Sequence, residues 1–417
     1  MEQGRRKTLI AIPTFWVDSD SASEGLEGQY VHYDHPTTLN ESGTLQRALE
    51  SLAILESSDF AVVVLAVTPD RSARTAVESR VREVLKQARS NSGLRAPCFL
   101  LSYSHLDSIQ EALGLRDEQE ARLISLEGYS NVRNAALLVA RWLAVEALVF
   151  IDDDEYLDDP HFLDQTTRFL GTTCQGHLVE AVAGFYRYPE GGYRLKEGQE
   201  AWQEHWNPAR WMNRAFEKYL EGSARLQRSP FAFGGCLVLT RSLLKRLPFD
   251  PLIPRGEDID YLINALLIDV PTFVDNRLSV VHAPPVKTST AWRQLRIDVR
   301  RFLYERAKLD PLQAQKSGFH PVSLQALQPY PGVVLTEDLE ARFVRANRAL
   351  AQAYGQQHNA DAVRACEKTL ELMVRWTPSS ETVFAHLSLL LQRWDSLGQR
   401  LDQWRGERGV TAFPERV

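Results

Sequence analysis

Four short stretches of this 417-residue chain are almost wholly apolar: "TLIAIPTF" (8–15), "FAVVVLAV" (60–67), "PCFLLSY" (97–103) and "ALVFID" (147–152). A strand with one wet face alternates apolar and polar residues. Unbroken apolar runs of this length imply burial on both faces, the condition of a parallel sheet covered by helices. Between them, "TLQRALESLAIL" and "TAVESRVREVLKQARS" place apolar residues at helical spacing with charged opposite faces. The order β-α-β-α-β-α-β predicts a mostly parallel α/β sheet, which binds ligands beyond the carboxyl ends of its strands. After about residue 320 strand signals fade and long amphipathic helices follow. Two helix-turn-helix units there faintly resemble tetratricopeptide repeats, but the spacing slips and fewer than three are present. A helical appendage is expected, with the division at residues 1–315 and 316–417.

Composition narrows the partners. At 44% hydrophobic and 24% charged the chain has ordinary globular make-up. A net charge of −6 gives no general attraction to nucleic acid or an anionic bilayer, so phosphate recognition must be local. Four cysteines lie far apart without a CxxC pair, which argues against a zinc cluster or disulfide framework and for a reducing compartment. The apolar run near the amino terminus is short, holds Pro13 and leads into acids, so it reads as a first strand rather than a signal peptide. No stretch approaches the ~20 apolar residues of a membrane helix, and a cytoplasmic protein is expected.

The fourth apolar run enters four acids, Asp152, Asp153, Asp154 and Glu155, within "ALVFIDDDEYLDDP". Adjacent like charges raise one another's pKa unless a cation sits among them. A solvated acidic turn is the bland explanation; a metal site is the sharper one. Other notable segments are "YSNVRNAAL" (129–137), "FGGCLVLTRSLLKRLPFDPLIPRGEDIDYLINALL" from 233 and "VDNRLSVVHAPP" (274–285).

Taken in order, these segments resemble a GT-A-fold glycosyltransferase of the family 2 type. The matching residues are Pro13, Thr14 and Phe15; Arg133 and Asn134; Asp152, Asp153 and Asp154; Gly234 and Gly235; Phe249 and Asp250; Gly256, Glu257, Asp258 and Asp260; and His282. The match spans roughly residues 7 to 285. It departs where a "DDGS"-like turn is replaced by "AVTPDRS" and where the acidic motif carries a third Asp. The resemblance implies a GT-A nucleotide-binding mixed sheet flanked by helices, with an α-helical C-terminal region. It further implies transfer of a sugar, of the hexosyl type, from a UDP- or GDP-sugar to a small-molecule or glycan acceptor.

A departing diphosphate needs charge neutralisation, most simply by Mn²⁺ or Mg²⁺, which take oxygen ligands. Strand alternation would put Asp152 and Asp154 on one side and turn Asp153 and Glu155 away. Asp154 is expected to bind metal directly, and Asp152 to join it and reach sugar or ribose hydroxyls. His282 would be structural if alone; the resemblance makes it a further metal ligand. The resemblance also assigns Asp258 as general base, inverting the anomeric centre, with Glu257 positioning the acceptor and Asp260 supporting the site; capping of a helix by these acids is the alternative. Donor contacts are expected from Pro13, Thr14, Phe15, Asp70, Arg133, Asn134, Asp153, Gly234 and Gly235. Trp202, Trp206 and Trp211 recur at near-helical spacing, as core or as an acceptor wall. A nucleotidyltransferase would show a Gly-rich basic loop after the first strand, and "IPTFWVDSDSASEG" has none. A non-catalytic scaffold with a helical partner-binding tail is disfavoured by the intact acids. Self-association through the C-terminal helices is left open.

Overall fold

Strands form where the apolar runs predict them. The computed structural model describes residues 7–18, 33, 36–232, 234–285, 290–408 and 414–417. Its strands are β1 (Thr8–Val17), β2 (Thr37–Thr38), β3 (Phe60–Val67), β4 (Cys98–Leu101), β5 (Ala147–Phe150), β6 (Glu155–Tyr156) and β7 (Thr173–Cys174). They continue with β8 (His177–Leu178), β9 (Ala181–Arg187), β10 (Leu226–Arg228), β11 (Leu237–Thr240), β12 (Phe273–His282) and β13 (Glu415–Arg416). Eleven of them make one mixed sheet in the order β10-β12-β9-β11-β5-β1-β3-β4-β13, with β2 on β1 and β6 on β12. β5, β1, β3 and β4 are parallel, and β11 runs antiparallel between β5 and β9.

All eight residues of β3 are buried, and its period of two divides them between two cores. Ala61, Val63, Leu65 and Val67 enter one, and Phe60, Val62, Val64 and Ala66 the other. A sheet so covered has no wet face to require polar alternation.

The centre of the sheet contains a proline. β1 pairs with β5 only from Thr8 to Ala11, and the last bond between the two runs from Ile151 N–H to the Ala11 carbonyl. Alternate residues point their backbone groups the same way, so Pro13 faces the side that β5 has already left. Its missing N–H breaks no ladder bond. The chain order reverses here, with β3 on one flank of β1 and β5 on the other, which opens a crevice at the strand ends.

The helices interleaved with these strands are α1 (Leu45–Ser51), α2 (Arg74–Ser92), α3 (Tyr103–Ala112), α4 (Glu118–Arg122), α5 (Tyr129–Leu143), α6 (Phe162–Thr167), α7 (Pro208–Leu220) and α8 (Arg241–Arg246). α9 (Glu257–Leu267), α10 (Ala291–Ala307) and α11 (Pro311–Lys316) follow, then α12 (Leu339–Gln356), α13 (Ala360–Trp376) and α14 (Ser380–Arg408). The boundary expected at residue 315 falls inside α11. Among the described residues no helix is long and apolar enough to cross a membrane.

The C-terminal helices share the core of the sheet. Leu387, Leu390, Trp394, Leu397 and Leu401 recur every three or four residues of α14, and all are buried. Trp394 Nε1 donates to the Leu244 carbonyl at 3.0 Å, and Trp404 packs on Trp142 of α5 at 4.5 Å. Arg141 of α5 pairs with Asp402 at 2.8 Å. β13 closes the edge of β4, where Arg82 and His105 hold Glu415.

Truncating Trp394 to alanine is expected to destabilise the whole protein by ~3–5 kcal/mol, the usual range for a buried large aromatic. Denaturant unfolding followed by near- and far-UV signals should show one transition moving as a unit. A separate early transition would mean that the C-terminal helices fold independently.

Candidate active site

The crevice beyond β1 and β5 widens into a cavity of about 550 Å³. Pro13, Phe15, Arg133, Asp152, Asp153, Asp154, Gly235, Glu257, Asp258 and His282 all line it, as does Glu155. Segments more than a hundred residues apart thus converge on one space.

The acids do not alternate as a strand would. β5 stops at Phe150, and a turn closed by Glu155 N–H on the Asp152 carbonyl at 3.1 Å carries the chain round. Asp153 and Glu155, expected to face away, therefore reach the cavity with the others. Glu155 accepts from the Asp152 N–H at 3.0 Å. Its carboxylate lies against Gly235, where a Cβ would come within 2.2 Å of an oxygen, so only glycine leaves room for it. Gly234 lies in the same short turn.

Asp153 accepts from the Thr14 hydroxyl at 2.6 Å, and Thr14 in turn accepts from Trp16 Nε1 at 2.9 Å. Thr14 is fully buried and tethers an acid instead of lining the cavity. Asp154 and His282 sit together, with Oδ2 and Nε2 3.3 Å apart. β6 pairs with β12 to bring them there, and the Ala283 N–H donates to the Asp154 carbonyl at 3.0 Å. Tyr186 lies 4.8 Å from the His282 ring, and His282 Nδ1 is buried without a hydrogen bond.

Arg133, buried in α5, does not point to open space. Its Nε donates to Glu257 at 2.6 Å, an Nη approaches Asp152 at 3.5 Å, and the guanidinium lies over Phe150. Its guanidinium thus lines the cavity between two carboxylates. Asn134 is corrected: it is fully buried and bonds both backbone groups of Phe249, at 2.9 and 2.7 Å, away from the cavity. Asp70 accepts from the N–H and hydroxyl of Ser72 in a local turn and is likewise not a lining residue.

Charge crowding perturbs the acids. Burial raises Asp152, Asp153 and Glu155 above the usual carboxylate range; Asp154 adds to this for Asp153, while Arg133 opposes it at Asp152. Asp258 is raised to about 6, by burial first and then by Glu257. Behind it, Asp260 is fully buried and bonded to Lys308 and Asn264. Asp250, held below its usual range against the cost of burial by His386 and Lys308, also accepts from Tyr304 at 2.7 Å. Lys308, His386 and Tyr304 carry no motif, and sequence inspection passes over them.

Oxygen donors with one imidazole suit Mn²⁺ or a similar divalent ion. The fit is strongest at Asp154 and His282. The atoms of Asp152, Asp154 and His282 do not all lie within 4.8 Å of one another, so the three do not form one closed ligand set. Among the described residues the set that close is Glu78, His105 and Glu415, and there Arg82 already pairs with both glutamates. Of the three tryptophans, Trp202 and Trp206 line the cavity and Trp211 does not. Trp206 is at once core and wall, packed on Trp211, Phe302 and Phe343.

No protein-family model matches the chain, and no curated protein matches it. Among solved structures it is similar to a mannosyltransferase from Pyrobaculum calidifontis in complex with GDP-Man and Mn²⁺, at 15% identity and a TM-score of 0.46, covering 94% of this chain and 88% of that one. A mycobacterial protein is 17% identical with a TM-score of 0.38, covering 72% and 73%. Glucosyl-3-phosphoglycerate synthase from Mycobacterium tuberculosis, in complex with Mn²⁺ and UDP-glucose, is 16% identical with a TM-score of 0.33, covering 72% and 79%.

Crowded carboxylates favour a bound cation most when they are ionised. The folded state keeps its proton on Asp258 up to about pH 6, whereas an unfolded aspartate releases it near 3.9. Folded protein thus binds more protons across that window, and metal-free stability should fall as pH rises through it. Mn²⁺ at a hundredfold excess over Kd should add about 2.7 kcal/mol of stability, and at one fixed Mn²⁺ concentration the rise in Tm should be larger at pH 7.5 than at pH 5.5. Thermal melts of wild type, Asp154→Ala and His282→Ala check this, and both variants should lose the response.

Proposed function

We propose that the chain transfers a hexosyl group from a UDP- or GDP-sugar to an acceptor hydroxyl, inverting the anomeric carbon with Asp258 as base. The observation that carries this reading is the convergence of the Asp154 and His282 pair with Asp258 in one cavity at the strand-order reversal. The domain reading that goes with it takes residues 1–315 as the catalytic unit and 316–417 as its helical C-terminal region. Four free cysteines fit action in the reducing cytoplasm.

Each residue has a task. Phe15 and Tyr129, whose rings are 5.2 Å apart, border the base, with Pro13 at the crevice floor. Asp154 and His282 hold the Mn²⁺ or Mg²⁺, which supplies charge neutralisation to the diphosphate. Asp152, fixed by Arg133, accepts from sugar or ribose hydroxyls. Glu257 is held by Arg133 and keeps the first turn of α9 in place; Asp258, next to it, faces the acceptor. As the acceptor oxygen bonds to the anomeric carbon, its proton passes to the Asp258 carboxylate. The bond from that carbon to the diphosphate oxygen breaks with its electron pair leaving on the nucleotide. A carboxylate raised to about 6 is ionised at neutral pH yet more basic than an ordinary aspartate, as proton abstraction requires.

Asp258→Asn should lower kcat by about 10²–10⁴-fold with little change in donor affinity, the range typical of a lost general base. Asp154→Ala should instead lose metal-dependent donor binding. Donor-binding titrations with UDP- and GDP-hexoses and Mn²⁺, beside transfer assays, separate the two; sugar nucleotides that fail to bind wild type would end the proposal. Wild-type kcat/KM should rise with pH through about 6, because only ionised Asp258 in the free protein accepts the proton.

A further inference from the structure

The cavity carries side chains of both charges. On the strand side, Asp152 to Glu155 and Glu257 outnumber the one arginine, Arg133. Lys196, Arg255 and Arg301 line the cavity as well, together with Asp258 and Asp298.

Arg301 differs from Arg133 in its partners. It is 7% exposed and lines the cavity, yet its hydrogen bond, from Nη2 at 2.9 Å, goes to the neutral Tyr330 hydroxyl. Its Nε is buried without a hydrogen bond. The nearest carboxylate, Glu305 at 3.6 Å, is fully buried with neither oxygen hydrogen-bonded. Burial pushes Glu305 above the usual carboxylate range, against the pull of Arg301. A buried guanidinium whose ion pair makes no hydrogen bond leaves donor capacity unused, and its planar fork matches carboxylate or phosphate oxygens. The guanidinium also lies against Gly256, where a Cβ would meet Nη1 at 1.5 Å. Gly256 stands two residues before Asp258, so an anion bound here lies beside the base.

We propose that Arg301, with the Tyr330 hydroxyl, is the recognition site for an anionic group on the acceptor, a carboxylate or a phosphate. The substrate class is then a hydroxyl compound carrying that anion. This rests on the transferase reading for its meaning, but the binding itself does not.

Isothermal titration with D-glucose, D-glucuronate and D-glucose 6-phosphate, without donor or metal, tests it. These probes share a hydroxylated ring and differ in charge. Wild type should bind at least one charged sugar about tenfold or more tighter than glucose, and the one preferred identifies the anion. Arg301→Gln should erase the preference. Arg301→Lys, which keeps the charge and loses the fork, should shrink it severalfold and serves if the glutamine variant does not fold. Equal binding of all three sugars, binding of neither charged sugar, or a preference unchanged in the folded variants would overturn the proposal. Because no donor is present, a failure of sugar-nucleotide binding leaves this result standing, and the reverse holds as well.

Discussion

Four consecutive carboxylates at the end of a buried strand are the constraint on which the surrounding structure depends. In water they would cost little; in a partly closed crevice their mutual repulsion and desolvation must be met by donors. The fold supplies one for each. Thr14 donates to Asp153, the Asp152 N–H to Glu155, Arg133 approaches Asp152, and His282 stands beside Asp154. Several other features follow from housing them. β5 must end before the acids so that a turn can fan them apart, Gly235 must lack a side chain where Glu155 lies, and β1 can then carry Pro13 past the gap.

Arg133 joins the two halves of this arrangement. One guanidinium bonds Glu257 at the start of α9 and approaches Asp152 beyond β5. Removing one member of a buried pair leaves an uncompensated charge and typically costs ~3–5 kcal/mol. The strand end and α9 are therefore fixed relative to each other before any ligand arrives, which is the preorganisation that a transfer between two bound molecules requires.

Much of the sheet was legible because burial on two faces leaves unbroken apolar runs, as in "FAVVVLAV". The acids stood out because they end an apolar run, whereas His282 and the Glu-Asp pair were grouped with them only through the family resemblance. Individual orientations were not. Alternation assumes that the strand continues, and the turn after Phe150 cancelled it for Asp153 and Glu155. Arg133 and Asn134 are adjacent in sequence, yet helical rotation gives one to the carboxylates and the other to the Phe249 backbone. No local pattern announces Lys308 or His386, because their partners are 48 and 136 residues away.

Those distant partners alter the standing of the C-terminal helices. α9 presents Glu257 and Asp258 to the cavity and turns Asp260 inward to Lys308, at the end of α10. Lys308 also faces Asp250, which His386 of α14 holds from the other side. A chain of polar contacts through the fully buried Asp260, Lys308 and Asp250 thus runs from the helix bearing the proposed base to His386 on the last long helix. Lys308 is the cation between Asp260 and Asp250, so withdrawing it would strand two carboxylates in the core. Helices that merely decorated a complete catalytic unit would meet it through apolar or exposed contacts. These complete its electrostatics, and the geometry of α9 depends on them.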